Sequence, residues 1–320
     1  MRGYFDFYEW DEDDSKREHV GSGSNLITTA GKNAILRYLA RMTSDYSGAI
    51  AVGLDGTTAS AADARLGIQT AKVPVIMKSV DYGTQTIIYK GTLDPAFVGS
   101  IYEMGLISTF TDATTGSYSS KILTVFDSSE TWDFTTLGGT ESTLATASRI
   151  GGTTKYVSIA TNNGWAQYDT YKTFDLSGYS DVDQVSFGHI SYSNRLTSLV
   201  VTFTDQAGNT ASYTQAVTNH TAGDSAAQYN IYRVNRSAFT LSSTAFSWAN
   251  IIKLTARTNA SGTAGTSPYG IGAWDFVGMV DTDSLNPEYV LVTRASSGTA
   301  LATKTAGKSM DIEYKLVFNL

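Results

Sequence analysis

The sequence contains no cysteine in its 320 residues. Disulfides, thiolate catalysis and cysteine-type zinc sites are therefore excluded, and packing has to supply the stability. Charge is also scarce: only 17% of residues are Asp, Glu, Lys or Arg, with a net charge of −7. No broad basic surface exists to neutralise a phosphate backbone, so nucleic acid is not expected as a partner. No stretch approaches the roughly 18 consecutive apolar residues of a membrane-spanning helix, and no membrane partner is expected. Asp11, Glu12, Asp13 and Asp14 stand where a secretory signal carries positive charge and then an apolar run, so no signal peptide is expected.

Catalytic signatures are equally sparse. The three histidines, His19, His189 and His220, lack the spacing of a helical metal pair. There is no Gly-x-Ser-x-Gly elbow, P-loop or His-Glu-x-x-His, and Gly270-Ile271-Gly272 lacks the third glycine and following helix of a dinucleotide fingerprint. A glycosidase needs only two carboxylates, which 30 acidic residues supply by chance. The expectation is a protein that is not an enzyme, with a polysaccharide depolymerase component as the alternative.

What the chain does have is 19 Tyr, 29 Gly and many Thr and Ser, a composition that favours pleated strands joined by small-residue turns. Its length allows two hydrophobic cores. Near the start, Tyr4, Phe5, Phe7, Tyr8 and Trp10 place five aromatics in seven positions, too many for a solvated tail. They are expected to dock, either on the protein's own domain or a sister subunit, or as an anchor in another protein. Gly21-Ser22-Gly23-Ser24 reads as a flexible joint, which makes residues 1–24 an N-terminal arm and the five aromatics its assembly residues.

Thr28 or Thr29 can cap a helix over about Ala30 to Met42, with Ile35, Leu39 and Met42 on one face. Ser60 and Asp63 form a capping-box-like pair for a second helix ending near Gly67. Strands follow over Val73 to Ser79, Gln85 to Leu93 and Ser100 to Ser108. In the final strand Met310, Ile312, Tyr314, Leu316 and Phe318 alternate with polar residues, so it needs a sheet to join. Between Asp127 and Asp283 the texture shifts to short strands, among them Lys155–Ala160, Ala166–Phe174, Gln184–Ser191, Ser198–Asp205, Gln228–Asn235, Ile251–Arg257 and Gly272–Val280. Seven or eight such strands make a two-sheet sandwich.

The run from Asn25-Leu26-Ile27-Thr28-Thr29-Ala30-Gly31-Lys32 through Ile50-Ala51-Val52-Gly53 and Thr57-Thr58-Ala59-Ser60 to Ile101-Tyr102-Glu103-Met104-Gly105-Leu106 resembles virion structural proteins of tailed bacteriophages, of the tail, baseplate or fibre-attachment kind. The resemblance covers about Gly21 to Val125 plus Leu285 to Leu320, with a strand over Glu288 to Arg294 and the terminal one closing the domain, and it implies that the middle is an insertion. That middle segment is similar to carbohydrate-binding or galactose-binding-type jelly rolls, through Phe174-Asp175-Leu176-Ser177-Gly178-Tyr179, Val185-Ser186-Phe187, Ser247-Trp248-Ala249-Asn250-Ile251 and Trp274-Asp275-Phe276-Val277. The fold class expected is mainly β: a split α+β outer domain, residues 25–126 plus 284–320, with an inserted jelly-roll-like β-sandwich over 127–283.

Such jelly rolls often hold a structural Ca²⁺ where their first and last strands meet. Asp127, Glu130 and Asp275 are the candidates by position, with hydrogen-bonded acids as the plainer alternative. No cofactor is required. Glycan contact would use aromatic faces, for which Trp165, Tyr168, Tyr192, Tyr232, Tyr269 and Trp274 are the candidates, packing in the core being their alternative. The resemblances together imply a virion protein, made in the host cytoplasm, whose partners are other virion proteins and copies of itself, with a host surface glycan as a further candidate; a carbohydrate-binding module protein is the other reading.

Overall fold

The computed structural model describes the chain except for residues 12–15, 42–46, 109–120, 145–147, 193–194, 218–227, 262–269, 281–289 and 319–320. The chain divides into two compact units: unit 1, Met1–Lys121 with Asp283–Leu320, and unit 2, Ile122–Thr282. In chain order the strands are β1 (Arg2–Trp10), β2 (Glu18–Ile27), β3 (Ala49–Gly53), β4 (Gln69–Pro74), β5 (Met77–Asp81), β6 (Thr86–Leu93), β7 (Gly99–Ile101) and β8 (Glu103–Ser108), with helix α1 (Thr29–Leu39) after β2. Then come β9 (Lys121–Val125), β10 (Asp133–Leu137), β11 (Gly139–Leu144), β12 (Thr154–Ile159), β13 (Trp165–Thr170), β14 (Gln184–Ser191), β15 (Leu196–Asp205), β16 (Thr210–Ala216), β17 (Gln228–Asn235), β18 (Thr240–Leu241), β19 (Ile251–Ala260) and β20 (Gly270–Val280). The chain returns to unit 1 with β21 (Val290–Leu291), β22 (Thr293–Ser296), β23 (Ala302–Lys304) and β24 (Ser309–Val317). The fold is mainly β.

Unit 1 is built on a sheet in the order β4-β3-β8-β22-β2-β1-β24-β6-β5, with β21 also on β8. Only Val75 and Ile76 separate β4 from β5; Val75 N donates to Gly48 O (3.0 Å) and Ile76 N to Lys90 O (2.8 Å), so one bent stretch bridges the two ends of the order and the sheet curls around its core. Period-two alternation fills that core. Phe5 and Phe7 of β1, Tyr89 of β6, and Met310, Ile312, Tyr314 and Leu316 of β24 are all 0–1% exposed. β1 lies between β2 and β24, pairing Phe5 with Gly23 on one side and with Tyr314 on the other.

The N-terminal segment is therefore a central strand of unit 1 and not an arm. Phe5 and Phe7 are interior, while Tyr4, Tyr8 and Trp10 alternate onto the other face, where Arg17 lies 4.4 Å over the Tyr8 ring. The Gly-Ser stretch is likewise part of β2. At Gly23 a Cβ would come 2.5 Å from Phe5 Cζ, so glycine there permits close packing and not flexibility.

Thr28 caps α1, its Oγ1 accepting from Gly31 N at 2.8 Å. A Cβ at Gly31 would sit 2.0 Å from Val292 O, so the helix can approach the backbone of the returning chain only with glycine at that position. Ile35 is buried, but Leu39 is 67% exposed, so the expected apolar stripe faces inward along only part of its length; Met42 lies outside the described residues. No second helix forms over residues 60–67. The capping pair is made, Ser60 N to Asp63 Oδ2 at 2.8 Å, but Glu103 takes the amides of Gly67 (2.8 Å) and Ile68 (2.7 Å) and draws that segment to the sheet as a loop.

Glu103 belongs to a buried ionic group. Arg294 reaches Glu103 (2.9 Å), Asp55 (3.2 Å) and Asp63 (2.8 Å) from β22, tying the 54–68 loop to β8. Burial raises the Glu103 pKa, against the lowering pull of Arg294 and the two amides.

Unit 2 is a sandwich. One sheet runs β10-β13-β19-β15-β16-β18, the other β11-β12-β20-β14-β17 with β9 on β20. Trp274 Nε1 donates to Thr258 Oγ1 (2.8 Å) across the two sheets. Phe126 stacks on Trp132 (4.0 Å) and Trp274 (5.6 Å), with Tyr168 edge-on at 5.9 Å. His189 is part of this interior, edge-on to Trp274, and burial pushes its pKa down to about 3, so it packs as a neutral ring.

Candidate functional site

Strand alternation gives the β10-β13-β19-β15-β16 sheet one face for the core and one for solvent. Ala166, Tyr168, Leu254, Ala256, Leu199, Val201 and Phe203 point inward and are fully buried. The intervening residues form three rows across the outer face. One row is Leu137-Trp165-Asn259-Ser198-Ala216, the next is Thr135-Gln167-Arg257-Val200-Thr214, and the third is Asp133-Asp169-Thr255-Thr202-Ser212. Five strands at about 4.8 Å spacing make each row roughly 19 Å long.

The face is chemically organised. Asn259 Nδ2 donates to Ser198 Oγ (3.0 Å) and its Oδ1 accepts from Arg257 Nε (2.8 Å), while the Arg257 guanidinium lies 4.4 Å over the Trp165 ring. Asp169 accepts from Gln167 Nε2 (3.1 Å) and Thr255 Oγ1, with Lys253 Nζ at 3.9 Å. Thr202 and Ser212 hydroxyls bond each other at 2.9 Å. At the β10/β13 end, Ser129, Glu130, Asp133, Asp169, Tyr171 and Lys172 line a cleft of about 430 Å³, with Tyr171 66% exposed. Hydroxyl, amide and carboxylate groups beside partly exposed aromatic rings can both hydrogen-bond and stack on polyhydroxylated ligands.

Of the described aromatics expected to meet a glycan, Trp165 alone lies on this face. Tyr168 and Trp274 are 0% exposed and fill the core between the sheets, which rules them out as ligand contacts. Tyr232 is 9% exposed and stacked on Phe187 (5.2 Å). Tyr192 packs edge-on to Tyr156 (5.7 Å), and Tyr269 lies outside the described residues. Arg257, Gln167, Asn259 and Tyr171 were not anticipated. The signal for the first three was the polar alternation Gln167-Asp169 and Lys253-Thr255-Arg257-Asn259 opposite an apolar set.

The three acids expected to bind calcium are engaged separately, and no group of three ligating side chains occurs among the described residues. Asp127 Oδ1 accepts from Ser129 N (2.8 Å). Glu130 takes Lys172 Nζ and Thr124 Oγ1. Asp275 accepts from Ser148 Oγ (2.7 Å), Arg149 N (2.9 Å) and Tyr229 OH, and burial pushes its pKa up to about 6 against those bonds. Each carboxylate thus already holds a turn or loop.

Unit 1 presents a different surface. Leu36, Tyr38 and Leu39 of α1 are 43–67% exposed, and so are Met77 and Val80 of β5 at 54% and 51%, with Tyr82 at 88%. An apolar cleft of about 410 Å³ runs between the helix and this hairpin. Apolar residues exposed together in this way mark protein or membrane contact sites or ligand grooves.

The fold and face together define a β-sandwich unit with a polar outer sheet face, inserted into a curled β-sheet unit with an apolar outer patch. No protein-family model matches the chain, and no curated protein matches it. Among solved structures, the chain is similar to the family 11 carbohydrate-binding module of a cellulosomal cellulase of Clostridium thermocellum, at 15% identity and TM-score 0.38, covering 53% of this chain and 100% of that one. A family 11 module of the same organism in complex with a β-1,3-1,4-mixed-linked tetrasaccharide matches at 15% identity and TM-score 0.35, covering 51% and 97%. The enzymatically active domain of tailspike protein 4 of bacteriophage CBA120 matches at 18% identity and TM-score 0.29, covering 47% of this chain and 19% of that one.

Proposed function

We propose that this chain is a non-enzymatic structural protein of a phage particle, in which unit 1 makes the contacts with other virion proteins or with copies of the chain and the outer face of the unit 2 sheet binds a glycan. The observation that carries the glycan reading is the face itself: three rows of hydroxyl, amide and charged side chains around Trp165, continuous with the cleft at Tyr171. The assembly reading is supported by the exposed apolar residues of α1 and β5 and by the phage-like order of segments in residues 25–106. The non-catalytic reading is supported by Asp169, the one carboxylate of the three rows that is buried. It accepts from Gln167 and Thr255 and lies 3.9 Å from Lys253 Nζ, contacts by which it ties β13 to β19.

The test is binding of the full chain to a panel of neutral and acidic polysaccharides by affinity electrophoresis, together with mass spectrometry of purified particles. Retardation by at least one polymer, weakened several-fold by Gln167→Ala, without release of reducing ends, is the expected result. Release of reducing ends would make the protein a depolymerase. Recovery in lysate and never in particles would remove the virion role.

A further inference from the structure

The most unusual group on the unit 2 face is Arg257. Its Nε is bound to Asn259 Oδ1 at 2.8 Å and its guanidinium carbon lies over the Trp165 ring, 4.4 Å from the centroid. Among the described residues neither Nη group has an acceptor and no carboxylate forms an ion pair with Arg257. A counter-ion is within the neighbourhood: Asp169 stands one row away, diagonal to Arg257 across the β13–β19 pair. Yet Asp169 is turned to Thr255, Gln167 and Lys253. The guanidinium is thus held in place on two sides, partly desolvated so that its pKa is lowered, and left without an anion. Stacked and bonded arginines lose little rotamer freedom on binding, and the planar fork of Nη groups matches a pair of coplanar oxygens.

The stacking also has a negative consequence. The guanidinium covers the Trp165 face over which it lies, so that face is not a bare platform for the apolar surface of a neutral sugar. A ligand arriving there meets two N–H donors first.

We propose that Arg257 makes the unit 2 face a receptor for carboxylate-bearing sugars, so that the glycan bound contains uronic acid residues; this rests on the glycan-binding reading of the same face. The carboxylate takes both Nη groups side by side, and the neighbouring Gln167, Thr135 and Thr214 of the same row lie along the chain of sugar hydroxyls. The net charge of −7 does not oppose this, because charges farther away than about 8–10 Å are screened at physiological salt.

The experiment is isothermal titration of the full chain with polygalacturonate, alginate and hyaluronan, each beside its carboxyl-reduced form, and with poly(glycerol phosphate). Near-ultraviolet circular dichroism of each variant reports folding. The expected result is that at least one polyuronate binds about ten- to hundredfold more tightly than its reduced form. Arg257→Gln should abolish that difference, with Arg257→Lys intermediate. Equal binding of the native and reduced polymers by the wild-type chain overturns the proposal while leaving glycan binding standing, as does an Arg257→Gln variant that keeps the preference. Binding of poly(glycerol phosphate) with no polyuronate binding replaces the carboxylate by a phosphate. Binding of no polymer at all removes the glycan-binding reading as well.

Discussion

Replacing Phe7 by alanine separates a core strand from a detachable anchor. Phe7 is 0% exposed in the middle of β1, edge-on to Phe5 at 5.4 Å and opposite Ile312 of β24. Truncating such a phenylalanine costs about 3–5 kcal/mol, from lost transfer energy plus the cavity left behind. For a unit of this size that corresponds to a fall of about 6–20 °C in melting temperature, or to a urea midpoint lower by roughly 2 M. Tyr4→Ala, one strand position off the core face and 38% exposed, should stay within about 0.5 kcal/mol of wild type. The assay is urea unfolding followed by peptide-resolved hydrogen exchange, in which peptides from β24 and β6 report on unit 1 and peptides from β14 and β19 on unit 2. Phe7→Ala should accelerate exchange in the first set and leave the second unchanged. A Phe7→Ala chain with wild-type stability that no longer enters particles would refute the argument and restore an anchor role to the N-terminal aromatics.

Arg294→Ala should destabilise unit 1 by about 3–5 kcal/mol, because Glu103, Asp55 and Asp63 then share a buried site with no cation; exchange protection of the Gly67 and Ile68 amides reads the loss. Gly31→Ala should destabilise unit 1 despite alanine's higher helix propensity, since its Cβ meets Val292 O; a more stable variant by thermal melting would contradict the close approach. Asp275→Asn should destabilise unit 2 most at acid pH. With a folded pKa of about 6, Asp275 binds its proton more tightly in the native than in the unfolded chain, so its contribution is full below the unfolded value of about 3.9 and is lost as pH rises through 6. The deficit of the variant should shrink by about 2 kcal/mol between pH 4 and pH 7, and a pH-independent deficit would count against a buried, proton-binding Asp275.

Period-two apolar alternation was the legible part of the sequence. Gln184–Ser191 and Gln228–Asn235 coincide with β14 and β17, and Met310 to Leu316 carry the inward face of β24 as their spacing required. Two of the strands that escaped have no such face. β10 is Asp133-Phe134-Thr135-Thr136-Leu137, mostly exposed at the edge of its sheet, and β16 mixes Thr, Ser and Gln with a single fully buried Ala211. β2 was missed for a different reason: glycine and serine normally signal loose chain, but here they make room for Phe5. The loop over residues 60–67 shows tertiary override, since local capping was formed and a distant glutamate still won the amides. In the candidate site, burial sorted the aromatics in a way that residue type could not. An arginine within a strand reads as solvated charge, and only the fold places Arg257 on Trp165.

The pairing of β1 with β24 fixes an order of events during synthesis. Gly3 stands in register with Leu316, so β1 has to wait for β24, which is made much later. Between them the whole of unit 2 emerges as one uninterrupted stretch, Ile122–Thr282, able to close its own sandwich. At about 5–20 residues per second, the 38 residues from Asp283 to Leu320 take a further few seconds, during which Phe5 and Phe7 lack their β24 neighbours. The nascent chain in that interval is a folded unit with an unfinished one upstream, and that upstream segment is where chaperone binding and misassembly should concentrate.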